Sequence, residues 1–272
     1  MKKRFIKAAS ELFPEQFARL AYHQITNPQV KKLRPHELKV LEQARQENVT
    51  YKGYRIQTYV WNENAIGDEI LLIHGWEGQA GNFADIIERL IQLDFKIYSF
   101  DGPSHGFSSQ APTSLFEFTI MAGSLIREYA VKKLISHSFG SVPVTYSLMT
   151  HPELQLEKYV LLTTPDKFTE RIDQVAYQVG FSVKTKEKLI QLIEKETKMK
   201  ISKLNVSEFV KNIKVDQALI LHDAKDKVIP ISQAENVHRN WTQSSFKKVK
   251  GTGHFRILRD PAVIEEVVGF LK

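Results

Sequence analysis

Five short, nearly continuous apolar runs punctuate the middle of this chain: Ile70-Leu71-Leu72-Ile73, Phe95-Lys96-Ile97-Tyr98-Ser99-Phe100, Lys133-Leu134-Ile135, Tyr159-Val160-Leu161-Leu162 and Ala218-Leu219-Ile220-Leu221. A strand that is apolar on both faces must be covered on both faces, which is the condition of a parallel sheet between helices. Segments with helical spacing lie between several of these runs: 82–93, 115–129 and 142–149, with 262–271 closing the chain. Phe246-Lys247-Lys248-Val249 reads as a last, partly exposed strand. Upstream, the stretch from Val49 to Trp61 alternates around Gly53, which suggests an antiparallel hairpin. The expected class is therefore α/β, with a mostly parallel sheet flanked by helices.

Two segments do not fit that alternation. Residues 4–25 place Phe5, Ile6, Ala9, Leu12, Phe13, Phe17, Leu20 and Tyr22 at three- and four-residue spacings, an amphipathic helix interrupted near Pro14. Residues 36–47 read as a second short helix, so 1–47 form a helical N-terminal extension. Residues 165–214 hold further helical patterns at 168–179, 186–197 and 206–212. A helical insertion between two sheet strands must lie outside the sheet. It reads as a lid over the C-terminal edge of the strands, where open α/β sheets place their sites. The core is then 48–164 together with 215–272.

The net charge of +7 is concentrated on these two additions. Residues 1–47 carry ten Lys and Arg against five Glu, and residues 182–214 carry nine Lys against four Glu. Interleaved with Glu, and without a helix-turn-helix, zinc-knuckle or aromatic RNA-binding pattern, they read as solvated helix faces and not as a nucleic-acid surface. The apolar stripe of residues 4–25 needs a partner. The body of the protein is the expected one, with an anionic membrane surface or a second subunit as the alternatives.

At 272 residues the chain can build one sizeable core with appendages. No run approaches the roughly 18 apolar residues of a membrane span. The opening Met1-Lys2-Lys3-Arg4-Phe5-Ile6 resembles a secretory n-region, but Lys7 and Glu11 break any apolar stretch behind it, so a cytoplasmic location is expected. The chain has no cysteine, which removes disulfide, thiolate and cysteine–metal chemistry.

Three motifs carry the chemistry. In Ser136-His137-Ser138-Phe139-Gly140 an apolar strand runs into small residues and then a helix. A sharp strand-to-helix turn there would expose the Ser138 hydroxyl and offer a backbone N–H at the helix start. Serine stands at 136 where the G-x-S-x-G pattern has glycine. A serine hydroxyl needs a base to take its proton and fixed donors for an oxyanion. The donors expected are the Phe139 amide and the Trp76 amide in His74-Gly75-Trp76-Glu77-Gly78, where Gly75 lets the backbone turn inward. The Trp76 and Phe139 side chains are expected to line an acyl pocket or to pack in the core. The base is His254, on the loop bracketed by Gly251 and Gly253. The acid must follow the Ala218–Leu221 strand, where both Asp223 and Asp226 stand. Asp226, ahead of Val228-Ile229-Pro230, has the reach, and Asp223 is expected to shape the turn. His74, His105 and His222 read as structural, and strand alternation points His137 away from the nucleophile. No His pair at metal-ligand spacing with a carboxylate occurs, so neither a metal nor another cofactor is expected.

Serine, acid and histidine in that chain order resemble the α/β-hydrolase superfamily over roughly residues 48–272, and within it the bacterial esterase/lipase-type serine hydrolases. The matching pieces are His74-Gly75-Trp76, the loop Asp101-Gly102-Pro103-Ser104-His105-Gly106-Phe107-Ser108, the Ser138 turn, Asp226 and Gly253-His254-Phe255. The resemblance implies the α/β-hydrolase fold, a Ser138–Asp226–His254 triad, oxyanion donors at Trp76 and Phe139, no cofactor and a small-molecule acyl ester substrate. A thioesterase, an acyltransferase, or a hydrolase-fold binding protein with little turnover are the alternatives it leaves. Serine in place of aspartate at the turn argues against a dehalogenase or an epoxide hydrolase.

Overall fold

A computed structural model describes residues 2–30, 32–110 and 113–272. The hairpin comes first: β1 (Arg45–Tyr51) turns through Lys52-Gly53 into β2 (Tyr54–Trp61), pairing antiparallel with Tyr51 opposite Tyr54. The remaining strands are β3 (Glu69–Ile73), β4 (Lys96–Phe100), β5 (Lys133–His137), β6 (Gln155–Leu162), β7 (Lys214–Asp223) and β8 (Ser244–Val249). They form one eight-stranded sheet in the order β1-β2-β4-β3-β5-β6-β7-β8. Only β1 and β2 break the parallel run, β2 pairing antiparallel with β4. The sheet's direction of growth reverses at β3, which lies between β4 and β5. The C-terminal ends of β3 and β5 thus flank a topological switch point, where a crevice opens.

Alternation along each buried strand feeds two cores. Leu71 and Ile73 pack on one face with α5 (Leu115–Glu128) and α6 (Ser141–Thr150), including Phe118, Leu125, Val144 and Leu148. Ile70 and Leu72 pack on the other with α4 (Ala84–Ile91) and the C-terminal helix (Pro261–Leu271), including Ile87, Leu90, Val263 and Val267. A buried aliphatic side chain is worth about 1.5–3 kcal/mol, so these two layers dominate the stability. The helix expected over 36–47 is shorter, α3 (Pro35–Glu42), because the chain must already be extended at Arg45 to pair with Val60. Pro35 opens that helix and Glu37 caps it through the Arg34 N–H at 2.7 Å.

The extension and the insertion form a third, separate cluster. The break near Pro14 separates α1 (Lys2–Leu12) from α2 (Pro14–Thr26). The insertion holds α7 (Phe168–Val179), α8 (Val183–Thr197) and the short α9 (Val206–Phe209). Ala18 and Ala21 of α2 pack on Ile172, Leu189, Ile193 and Ile201. The face of α2 that carries Ala18 and Ala21 is therefore covered by the insertion and not by the sheet, whereas half of the expected stripe is left exposed. The two small alanines let the helices approach closely. Ser10 completes the join, accepting the Ser182 N–H at 2.9 Å while its own carbonyl accepts the Thr185 hydroxyl at 2.7 Å. Exposed pairs between Glu11 and Lys184 and between Glu15 and Lys188 decorate the seam and add little. Phe5, Leu12, Phe13 and Leu20 stay outside this seam, on the exposed side. No helix among the described residues is long and apolar enough to cross a membrane.

Candidate active site

Ser138 sits at the end of β5 with φ +52°, in the left-handed region that a non-glycine residue enters only where its surroundings hold it. Two close approaches do so. A Cβ on Gly140 would meet the carbonyl oxygens of Ile73 and His74 at 2.6 Å, so only glycine allows α6 to start this near β3. A Cβ on Gly75 would stand 3.0 Å from the Ser138 side chain, so the loop after β3 lies directly against the nucleophile turn. The serine at position 136 is accommodated by a specific bond: its buried Oγ lies 2.8 Å from the Tyr159 hydroxyl of β6. Ser141 braces the turn from behind, donating to the Ser138 carbonyl at 2.8 Å.

The structure brings the three residues of the sequence expectation together. His254 Nε2 is 2.9 Å from Ser138 Oγ, and His254 Nδ1 is 2.8 Å from Asp226 Oδ2. An ionised carboxylate only accepts, so Nδ1 carries the proton and Nε2 offers its lone pair to the serine hydroxyl. Burial pushes the Asp226 carboxyl up, but the hydrogen bonds from His254 and from the Val228 and Ile229 amides outweigh it and hold it below the ordinary aspartate value. Asp226 therefore stays charged near neutral pH.

Asp223 does something else. Its Oδ2 accepts the Thr252 N–H at 2.6 Å and the Gly253 N–H at 2.7 Å, and its Oδ1 accepts the Lys225 N–H at 2.6 Å. It thus staples the start of the short helix Gly253–Arg256, which carries His254, to the loop that carries Asp226. His222, also buried, donates from Nε2 to the Ile229 carbonyl at 3.0 Å and supports the Asp226 loop from beneath.

His137 is structural, as expected, but its partner was not foreseen. Alternation does send Ser136 to one face and His137 to the other, but the His254 loop folds over that second face. The His137 ring lies 5.0 Å from the His254 ring and donates from Nε2 to the His254 carbonyl at 2.9 Å. His74 and His105 are internal, as their strand-end and loop positions suggested. His74 Nε2 accepts the Gly102 N–H at 3.0 Å, and His105 Nε2 accepts the Glu77 N–H at 3.1 Å. Burial pushes His74 and His137 down to about 3 and His105 down to about 4, so all three are neutral in the folded protein. Asp101, fully buried, holds the 101–108 loop by accepting from the Ala80 and Phe107 amides and the Tyr59 hydroxyl, each at 2.8 Å.

Trp76 follows Gly75 in the loop against Ser138, and Phe139 is the second residue of the helical turn Ser138–Gly140, where a first-turn N–H has no partner within the helix. Their rings meet edge to face at 5.2 Å, pack against the core and also line a cavity. That cavity is about 650 Å³ and contains Ser138 and His254 in its wall. Among the described residues no cluster of His, Asp or Glu is arranged to hold a metal ion.

The mostly parallel eight-stranded sheet, with its order reversing at β3 and helices on both faces, is an architecture shared with many solved structures. An esterase of Pyrococcus furiosus superposes with a TM-score of 0.64 at 16% identity, covering 91% of this chain and 97% of that one. A membrane phospholipase A gives 0.65 at 15% identity, covering 97% and 93%. The thioesterase domain of the curacin biosynthetic pathway gives 0.61 at 15% identity, covering 84% and 99%.

The chain has the α/β-hydrolase fold. No family model matches its sequence. A zebrafish (Danio rerio) protein described as serine hydrolase-like is 24% identical over 277 aligned positions, covering 78% of this chain and 84% of that protein. Within the hydrolase fold, sequence reasoning missed Asp223 as the staple of two loops, the Ser136–Tyr159 bond, and the contribution of α2 to the cavity. Only the last left a signal, since Tyr22 and Ile25 continue the helical stripe of Ala18 and Ala21.

Proposed function

We propose that the protein is a serine hydrolase that cleaves carboxylic esters through an acyl-enzyme. The observation that carries this reading is the unbroken line from Ser138 Oγ to His254 Nε2 and from His254 Nδ1 to Asp226 at 2.9 and 2.8 Å, built on a serine held at φ +52°. Ser138 attacks the ester carbonyl while His254 takes its proton. Asp226 steadies the imidazolium, and the alcohol leaves with the proton returned by His254. The Phe139 and Trp76 amides receive the oxyanion. Water then repeats the sequence on the acyl-enzyme. Residues 165–214 act as the lid of this site.

A fluorophosphonate probe tests the assignment. The wild-type protein should be labelled at Ser138 with loss of p-nitrophenyl acetate hydrolysis, and Ser138→Ala should abolish both. Labelling that persists unchanged in Ser138→Ala, or a wild type that releases no p-nitrophenol from p-nitrophenyl esters of any chain length, overturns it.

A further inference from the structure

The cavity that opens on Ser138 is not walled by the hydrolase core alone. The same space of about 650 Å³ is lined by Ser138, Phe139 and His254, by Ile172 and Ile193 of the insertion, and by Tyr22 and Ile25 of α2. Ile172 and Ile193 are also the buried side chains on which Ala18 and Ala21 rest. The residues that hold the N-terminal extension in place are therefore residues of the cavity wall.

Two bonds seat the end of α2 at the site. Its last carbonyl, on Thr26, accepts the Thr113 N–H at 3.0 Å, just ahead of α5. Beyond it, Gln29 donates its N–H to Glu77 at 3.1 Å, next to Trp76. The extension is thus tied to the loop that borders the nucleophile.

We propose that α2 is a wall of a chain-binding chamber, that Tyr22 and Ile25 set its dimensions, and that the natural substrates are long-chain aliphatic esters. This rests on the ester-hydrolase reading. The volume is that of a site for a drug-sized ligand, and an acetyl group would leave most of it without contacts. An aliphatic chain entering it gains about fourfold in binding for each methylene removed from water. Extension and insertion are covered by each other, so the chamber exists only while both are in place.

The test uses the full chain and opposite changes of volume. Ile25→Trp fills the chamber and should lower the ratio of kcat/KM for p-nitrophenyl dodecanoate over acetate at least tenfold, since one methylene too many in a fitted pocket costs about that much. Tyr22→Ala enlarges it and should shift the preferred chain to greater length. A general packing defect would move both variants the same way. Dodecyl acetate against ethyl acetate tells whether the chain lodged is that of the alcohol instead of the acid.

Calorimetric titration of Ser138→Ala with dodecanoate separates the chamber from the chemistry. Binding that weakens tenfold or more on adding Ile25→Trp supports the chamber even if no ester is turned over. Ester turnover with no chain-length preference on either side of the ester, or a preference that neither variant moves, overturns the chamber and leaves the hydrolase reading standing.

Discussion

The edge of the sheet and the roof above it are held together by different physics. At the edge, Ser138, Asp226 and His254 stand at the ends of strands, and their loops are pinned by hydrogen bonds to buried acceptors such as Asp223 and Asp101. In the roof, α1, α2, α7 and α8 meet through a small apolar cluster and an exposed seam of ion pairs. Polar networks specify geometry because an unmade bond in a buried place is costly. Apolar contacts specify proximity and tolerate changes of shape. On the proposed reading, the edge fixes a reaction and the roof chooses a substrate.

The largest test of that division separates the two aspartates. Asp226→Asn should cost kcat on the order of 10⁴-fold, because an amide no longer holds the His254 tautomer or its charge, while thermal stability changes little. Asp223→Ala should do the reverse, leaving buried amides of Thr252 and Gly253 unpaired at about 1–3 kcal/mol each and lowering Tm more than kcat. If Asp223→Ala proves the more damaging to kcat at a temperature where both variants are folded, the acid of the triad is Asp223.

These two residues also mark what the sequence could disclose. The strand-and-helix alternation, the hairpin, the serine turn and the histidine loop were legible because each is a local pattern: a run of apolar residues, a cluster of small ones, a glycine at a turn. Placing Asp226 beside His254 needed only reach along one loop. What Asp223 does depends on where the Thr252–Gly253 amides come to rest, some thirty residues away across β8, and no local pattern encodes that. The partner of His137 was hidden for the same reason. Alternation gave its face correctly, but not that the His254 loop would close over it. For the extension, the stripe was visible and its partner was not. The face that packs on the insertion is the one carrying the small Ala18 and Ala21, while Phe5, Leu12, Phe13 and Leu20 of the expected stripe remain exposed.

The second test is of acid stability. His74, His105 and His137 are buried at the edge and neutral, with their pKa values pushed down to about 3, 4 and 3 from an ordinary 6.5. Above pH 6.5 folded and unfolded chains are alike in these groups, so they contribute no slope. Below it the unfolded chain binds protons the folded one refuses, and stability falls until the folded histidines titrate near pH 3–4. Each group contributes at most about 1.4 kcal/mol per pH unit across that window. Thermal unfolding followed from pH 8 to pH 4 should show a level Tm down to about pH 6.5 and a steep decline beneath it. A Tm that stays level to pH 5 would mean that the edge is open enough for these rings to be protonated in place.

The smallest test concerns the serine that stands where the motif has glycine. Two forces oppose each other at position 136. The turn favours the smallest residue, whereas the fully buried Tyr159 hydroxyl needs the partner that Ser136 provides at 2.8 Å. An unpaired buried hydroxyl costs about 1–3 kcal/mol, and glycine in a strand adds roughly 0.5–1 kcal/mol of chain entropy. Relief of steric crowding should be slight, because the close approaches that define the turn fall on Gly140 and Gly75 and not on this side chain. Ser136→Gly is therefore expected to lower Tm by several degrees, at about 2–4 °C per kcal/mol for a chain of this size, with kcat moved only a few-fold. Ser136→Gly combined with Tyr159→Phe removes donor and acceptor together and should recover most of the loss. A single Ser136→Gly variant that is more stable and faster than wild type would show that the serine strains the turn, and that the edge is less completely fixed by its hydrogen bonds than the comparison with the roof requires.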